Sequence, residues 1–250
     1  MDNTTYVALS LARAMQRDLD VTANNIANAN TAGFKAERII FSSYLHPDEG
    51  QQVGQGTNFV VDEGSYLDRT QGALTRTDNP LDIAVKGDAF LSYRTPEGQI
   101  AYGRDGQLAL DRDGYLVTLS GAKVLDEGGG DIVIPPGAGK ILIGTDGTIS
   151  SEETVVLGRI GLFDVPDVQS YIRLGNSMLV PPPGQGSLAE PTETAEIAQG
   201  QIEMSNVSPV AEVTRLMMIQ KAYDQATKLM STEDDLRKDM LSRLGRAAIG

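Results

Sequence analysis

Few residues in this chain are of types that could do chemistry, and their spacing argues against it. There is no cysteine, which removes disulfides, thiolate metal sites and a cysteine nucleophile. The one histidine, His46, stands before Pro47 in what reads as a loop. A Ser-His-Asp triad could be built on no other residue, and most zinc geometries need more imidazoles than this. Gly54-Gln55-Gly56 opens a dinucleotide-type glycine pattern, but Phe59 stands where the third glycine belongs. Gly139-Lys140 resembles the end of a phosphate loop, yet Ile134 replaces its first glycine and Ile141 its closing Ser or Thr. Asp111-Arg112-Asp113-Gly114 is half of a calcium loop; the third acidic position and the closing glutamate are missing. It reads as a hairpin turn. The acidic pairs Glu152-Glu153 and Asp234-Asp235 are sequence neighbours and do not face one site. The expectation is no enzyme, no cofactor and no metal.

Composition narrows the classes further. With 250 residues, 40% of them hydrophobic, there is material for one large or two modest domains. The 27 glycines and 11 prolines predict many turns and a β-rich body. Net charge is -13, and it is unevenly spread. Arg13, Arg17 and Lys35 balance Asp2, Asp18 and Asp20 at the start, and the last 42 residues come to +1, so the middle carries -14. No basic stripe is available for nucleic acid. No stretch approaches the roughly 20 apolar residues of a membrane span, so no membrane insertion is expected. The opening MDNTTYVALS has no basic start, apolar run or small-residue cleavage site. Leaving the cytoplasm would need a route that reads no cleaved signal.

What the chain does have is two long amphipathic ends. Val7, Leu11, Met15, Leu19, Thr22 and Ile26 recur at helical spacing and predict a helix over 5–32. Ala8, Ala12, Ala23 and Ala27 flank the stripe and let neighbours approach closely. Asn24, Asn25, Asn28 and Asn30 follow, which are poor helix-interior residues. Gly33 supplies a left-handed stop, and Phe34 can fold back beyond it. At the other end, Ser208-Pro209 offers a cap and a first-turn proline. The helix it starts runs to about Leu244, with Val213, Leu216, Ile219, Tyr223, Ala226, Met230, Leu236, Met240 and Leu244 along one stripe. Met217 and Met218 make it apolar on a second side.

Between the ends, residues 36–75 read as extended chain with short strands. From Thr75 to about 190, short apolar runs alternate with Gly-Asp, Glu-Gly and Asp-Gly turns. The predicted fold class is α+β: long terminal helices paired as a coiled coil, flanking a central antiparallel β-rich domain. The expected division is 1–34 and 209–250 helical, 35–74 and 195–208 linking, and 75–194 the β domain. The candidate assembly interface is Leu11, Met15, Leu19, Asn24, Asn25, Ile26, Asn28, Asn30, Gly33 and Phe34, with Val213, Leu216, Met217, Tyr223, Met230 and Met240. A free-standing coiled-coil binding module is the alternative, and a cell-wall enzyme would need spaced carboxylates that the chain lacks.

Asn24-Asn25-Ile26-Ala27-Asn28-Ala29-Asn30-Thr31-Ala32-Gly33-Phe34-Lys35 resembles the N-terminal signature of the flagellar rod and hook proteins. The segment GALTRTDNPLDIAVKGDAFLSYRTPEGQIAYGRDGQLALDRDGYLVTLSGAKVL resembles their central block, and Asn206 through KAYDQATKLMSTEDDLRKDML their C-terminal helix. The opening TTYVALSLARAMQRDLDV and the length resemble proximal-rod members most; distal-rod and hook subunits are the near alternatives. The resemblance implies a structural subunit that polymerises into a helical tube in the periplasm and passes torque from motor to hook. It implies copies of itself and neighbouring rod proteins as partners. It also implies passage through the flagellar type III export apparatus without a cleaved signal.

Overall fold

The computed structural model describes residues 2–47, 56–151, 155–175, 177–184 and 189–247. Gly54, Gln55, Glu152 and Glu153, considered above for chemistry, lie outside the described residues. The chain divides into two compact units. One comprises Met1–Ala27, Glu37–Tyr66 and Ser208–Gly250, the other Asn28–Ala36 and Leu67–Val207.

The first unit holds the two α-helices of the described residues and two strands. Helix α1 (Asp2–Ala27) carries the apolar spacing seen in the sequence and stops where Asn28 begins a turn. Strands β1 (Glu37–Pro47) and β2 (Gly56–Leu67) pair as a two-stranded sheet, so His46 lies in a strand. Helix α2 (Pro209–Ala247) opens with the Glu212 amide bonded to the Ser208 carbonyl. Pro209 sits at its first position, where no backbone donor is needed.

The α+β composition fits broadly, but the expected coiled coil is not there. α1 and α2 pack together over only part of α2. The residues fully buried on α1 are Ala8, Ala12, Ala14, Asp18, Thr22 and Asn25; on α2 they are Glu212, Ile219 and Ala226. These are mostly small or polar. Residues expected in an apolar seam are at the surface, with Val213 44% and Met240 41% exposed. A coiled coil needs large apolar knobs at every a and d position. Alanines and buried charges make a close, short contact instead.

The second unit is built from short strands joined by tight turns. Its strands are β3 (Leu74–Arg76), β4 (Ile83–Lys86), β5 (Phe90–Arg94), β6 (Ile100–Gly103), β7 (Leu108–Leu110), β8 (Leu116–Thr118) and β9 (Lys123–Val124). They continue with β10 (Ile141–Ile143), β11 (Thr148–Ser151), β12 (Val156–Arg159), β13 (Leu162–Asp164), β14 (Ile172–Arg173) and β15 (Leu179–Val180), then β16 (Glu190–Pro191), β17 (Glu196–Gln199) and β18 (Gln201–Glu203). The main sheet runs β14-β15-β6-β5-β9-β8-β7, with β13 joined to β5 and β16. β10-β11-β12 form a second sheet, and β17-β4 and β18-β3 are antiparallel pairs.

Ile83, Val85, Leu91, Tyr93, Leu116, Ile149, Ile160 and Ile197 form the main apolar core. At roughly 1.5–3 kcal/mol for each large buried side chain, this core is the chief favourable term. A second cluster surrounds Tyr102, whose ring meets Phe163 and Tyr171 edge-on at 5.7 and 6.0 Å. Asp111 ends a hairpin here: its Oδ1 accepts from the amides of Asp113 and Tyr115, so that carboxylate is used in a turn.

Candidate assembly site

In the first unit the amides and charges decide how the helices meet. Asn25 is 1% exposed. Its Nδ2 donates to the Glu37 carbonyl at 2.9 Å, and its Oδ1 accepts from the Glu37 amide at 3.0 Å. One side chain thus satisfies both backbone groups of the first residue of β1, as a neighbouring strand would. The next residue, Arg38, donates to Glu212 at 2.5 Å, at the start of α2. The end of α1 and the start of α2 therefore lie together, and the helices run antiparallel. Arg215 donates to both oxygens of Asp18, at 3.1 and 3.3 Å. Each helix buries one carboxylate, each matched to one guanidinium. Sliding the helices by a turn would strip both pairs and leave buried charge unmatched.

The candidate residues on these helices divide cleanly. Leu11, Met15, Leu19 and Ile26 are half-buried on α1, as are Leu216, Tyr223 and Met230 on α2. Asn24, Val213, Met217 and Met240 are exposed. With Asp18 opposite Arg215, Ala14 falls opposite Ile219, and the start of α1 at Asp2 falls opposite Ser231. Residues 232–247 of α2, roughly 24 Å of helix, extend past the end of α1. This overhang exposes Leu236 (58%), Met240 (41%), Leu241 (66%) and Leu244 (68%). The same unit has a groove of about 580 Å³ between α1 and β2, lined by Tyr6, Leu9, Arg13, Phe59, Val61 and Asp62 among others. The Arg17–Asp62 ion pair and a bond from the Val60 amide to the Ser10 hydroxyl hold its walls together.

The remaining candidate residues belong to the β-rich unit. Asn28 closes the turn after α1, accepting from the Thr31 amide and hydroxyl; Asn30 is exposed. Gly33 has φ +66°, and a Cβ there would stand 2.3 Å from the carbonyl carbon of Arg104. Only glycine fits both the left-handed backbone and that approach. Phe34 is buried with Ala36 and Val207, and the Arg173 guanidinium lies 4.7 Å over its ring.

Around Gly33 and Phe34 sits a buried ion cluster. Glu203, Lys35 and Arg104 have side-chain exposures of 0%, 4% and 2%. Lys35 Nζ donates to Glu203 Oε1 at 2.6 Å and to the Thr70 carbonyl at 2.7 Å. Arg104 Nη1 donates to Glu203 Oε2 at 3.2 Å, and its Nη2 to the Gly87 carbonyl at 2.6 Å. The Gly72 amide also donates to Glu203. Burial pushes the Lys35 ammonium below its ordinary pKa, and Glu203 pulls it back up; Arg104 is shifted the same way for the same reasons. Asn206 adds a polar tie, accepting from the Ala36 amide at 2.7 Å and donating to the Asp68 carbonyl at 2.9 Å.

This arrangement binds chain segments together and has no nucleophile beside a base. No group of His, Asp and Glu among the described residues could hold a metal ion. Sequence reasoning does not single out Arg104, Glu203 or Glu212, and names Asn206 only as the start of the C-terminal resemblance. Ile202 and Glu203 are both buried in β18, so no alternation marks the acid. Glu212 looks like a routine first-turn helix acid.

Three family models match along the chain. Residues 6–35 match the flagella basal body rod protein model, 84–151 the flagellar hook protein FlgE/F/G D1 domain, and 198–244 the flagellar basal body rod FlgEFG protein C-terminal model. A flagellar basal-body rod protein FlgF of Caulobacter vibrioides is 38% identical over 98% of this chain and 99% of its own length. The FlgF of Mesorhizobium japonicum is 36% identical over 98% and 99%. The chain belongs to the flagellar basal-body rod protein family. Rod proteins of the FlgG type are also similar, with 32% identity for the one from Buchnera aphidicola of Acyrthosiphon pisum, over 89% of this chain and 92% of that one. The function that follows is structural: a subunit of the basal-body rod. The family is a structural one, and the ion cluster and paired helices are building elements of such a subunit.

Proposed function

We propose that this chain is a proximal-rod subunit that polymerises head to tail into a helical tube, enclosing the export channel and transmitting torque. It reaches the periplasm through the flagellar type III export apparatus without a cleaved signal, and its partners are copies of itself and neighbouring rod proteins. The observation that carries the assembly reading is the overhang of α2 past α1, with its stripe Leu236, Met240 and Leu244 open to a partner. The groove beside Tyr6, Leu9 and Val61 is an apolar surface of matching character on the same unit. A stripe on one subunit entering the groove of the next is a heterologous contact, which leads to an open-ended filament unless its rotation closes a ring. The half-buried Leu11, Met15, Leu19 and Ile26, with Leu216, Tyr223 and Met230, keep α1 and α2 in register beneath it. Asn24, Asn30, Val213 and Met217 are outward-facing contacts. Asn25, Asn28, Gly33 and Phe34 act from inside, by holding the joint in shape.

Because the native chain has no cysteine, a pair of introduced thiols reports contacts without background. Met240→Cys with Val61→Cys, treated with a short bifunctional maleimide in motile cells, gives cross-linked multimers if stripe and groove meet between subunits. Cross-links confined to single chains, or none in assembled basal bodies, overturn this reading.

A further inference from the structure

Taken alone, the contact between α1 and α2 is weak. What it buries completely is largely alanine, with Ala8, Ala12 and Ala14 on α1 and Ala226 on α2, and a methyl group removes little apolar area from water. It also buries the carboxylates of Asp18 and Glu212. Desolvating each offsets much of what its guanidinium partner returns. The two helices are far apart in the chain, with residues 28–208 between them. Closing a loop of roughly 180 residues for so small a contact is unfavourable.

The β-rich unit closes that loop beforehand. Residues 32–36, soon after α1, are buried without a break, and they bond to the residues just ahead of α2. The Gly33 amide donates to the Glu203 carbonyl at 2.8 Å, and the Asn206 amide to the Phe34 carbonyl at 3.3 Å. Asn206 Oδ1 accepts from the Ala36 amide at 2.7 Å, and the Lys35–Glu203 ion pair lies among these bonds. Phe34, Ala36 and Val207 form an apolar cluster of their own, apart from the main core. The segment can therefore open while the sheet stays folded. With Phe34 held at Asn206, only about eight residues of chain are left between this junction and the two helix ends. Shortening a loop from roughly 180 residues to about eight raises the effective concentration of one helix at the other on the order of a hundredfold.

We infer that residues 28–36 and 203–207 act as a clasp that makes the pairing of α1 with α2 conditional on a folded β-rich unit. An order of folding follows, with the β-rich unit first and the helix pair second. A chain whose clasp is open keeps its two helices apart. The coupling acts within one chain and does not depend on how subunits contact one another.

Hydrogen exchange of the full-length soluble chain, read by mass spectrometry, tests this. Lys35→Met with Asn206→Ala removes the ion pair and the side-chain ties of the clasp, and neither residue lies in a helix. Amides at 8–22 of α1 and 212–226 of α2 are expected to exchange about ten- to a hundredfold faster than in the native chain, while those of β5 and β6 keep their native rates. Gly33→Ala, whose methyl would collide with backbone at Arg104, is the second variant. It is expected to free the helices in the same way, whether or not β5 and β6 stay protected. Helix amides that keep native rates in either variant overturn the proposal. So does a native chain in which α1 and α2 already exchange as unpaired helices while β5 and β6 are protected.

Discussion

Lys35 and Glu203 are 168 positions apart in the chain, yet their charged atoms lie 2.6 Å apart in a fully buried pair. One follows the first helix and the other precedes the second. The β-rich unit therefore takes in a piece of chain from each end, and its central polar contact forms only when both are present. Around the pair, the Gly33 amide bonds to the Glu203 carbonyl at 2.8 Å, and β18 pairs with β3.

Glu203→Gln should be the most damaging change in this cluster. It leaves Lys35 and Arg104 buried with no carboxylate between them. Breaking a buried ionic network in this way costs about 3–5 kcal/mol. Lys35→Met should cost less, about 1–3 kcal/mol, because Arg104 and Glu203 remain as a matched pair. Urea unfolding followed by circular dichroism gives the order; a larger loss in Lys35→Met would reverse the assignment of Glu203 as the centre.

Asp105 gives the β-rich unit a pH dependence. Burial raises its pKa from 3.8 to about 6, with repulsion from Asp82 adding to the shift. The folded state therefore keeps a proton that the unfolded state releases. Stability from this group is full below about pH 4 and is lost as pH rises through 6. Asp105→Asn should remove that loss, since an amide oxygen still accepts from the Gln107 amide as Asp105 does at 3.1 Å. The expected gain at pH 7.5 is about 3 kcal/mol, falling to nothing near pH 4. Unfolding midpoints of both proteins across pH 4–8 should converge at the acid end.

Gly33→Ala should unfold or strongly destabilise the β-rich unit, by about 3 kcal/mol or more. The methyl would collide with the Arg104–Asp105 peptide, which is backbone and cannot swing aside. Near-native stability in this variant would mean that the segment 28–36 is not seated as described. Asn25→Leu acts on the other unit. It removes both bonds to Glu37, leaving two backbone groups to find water, at about 1–3 kcal/mol. Hydrogen exchange should show the Glu37 amide losing protection while β4 and β5 keep theirs.

These two positions also show what sequence reading could reach. Asparagine and glycine at 25 and 33 announce special backbone demands by residue type alone, because their physics is local. Their partners are not local. Nothing in the spacing says that Asn25 meets Glu37 while Gly33 packs on Arg104, so one stretch reads as a single joint when its parts serve two units. Substitution at Gly33 accordingly strikes the β-rich fold itself. The hairpins were legible from their Asp-Gly turns, and both helices from their apolar period. The coiled coil was not a safe extension of that period. The stripe predicts that a face is sticky, but the buried carboxylates Asp18 and Glu212 and the alanines decide which face meets the other helix.

The α2 overhang separates folding from assembly most cleanly. Leu236, Met240 and Leu244 are each more than 40% exposed, so Leu236→Ser with Met240→Ser and Leu244→Ser removes little buried area within the subunit. Surface changes of this kind typically alter stability by no more than about 0.5 kcal/mol each. The ion pairs Arg38–Glu212 and Asp18–Arg215 lie at the opposite end of α2 and are untouched. The triple variant should therefore unfold at nearly the same urea concentration as the native chain. The surface proposed to meet a neighbouring subunit, however, has lost three apolar anchors of the kind that dominate interface energies. Motility in soft agar should fall to that of a strain lacking the protein, and purified basal bodies should lack the subunit. Normal swimming by the triple variant would show that the overhang is not an assembly surface.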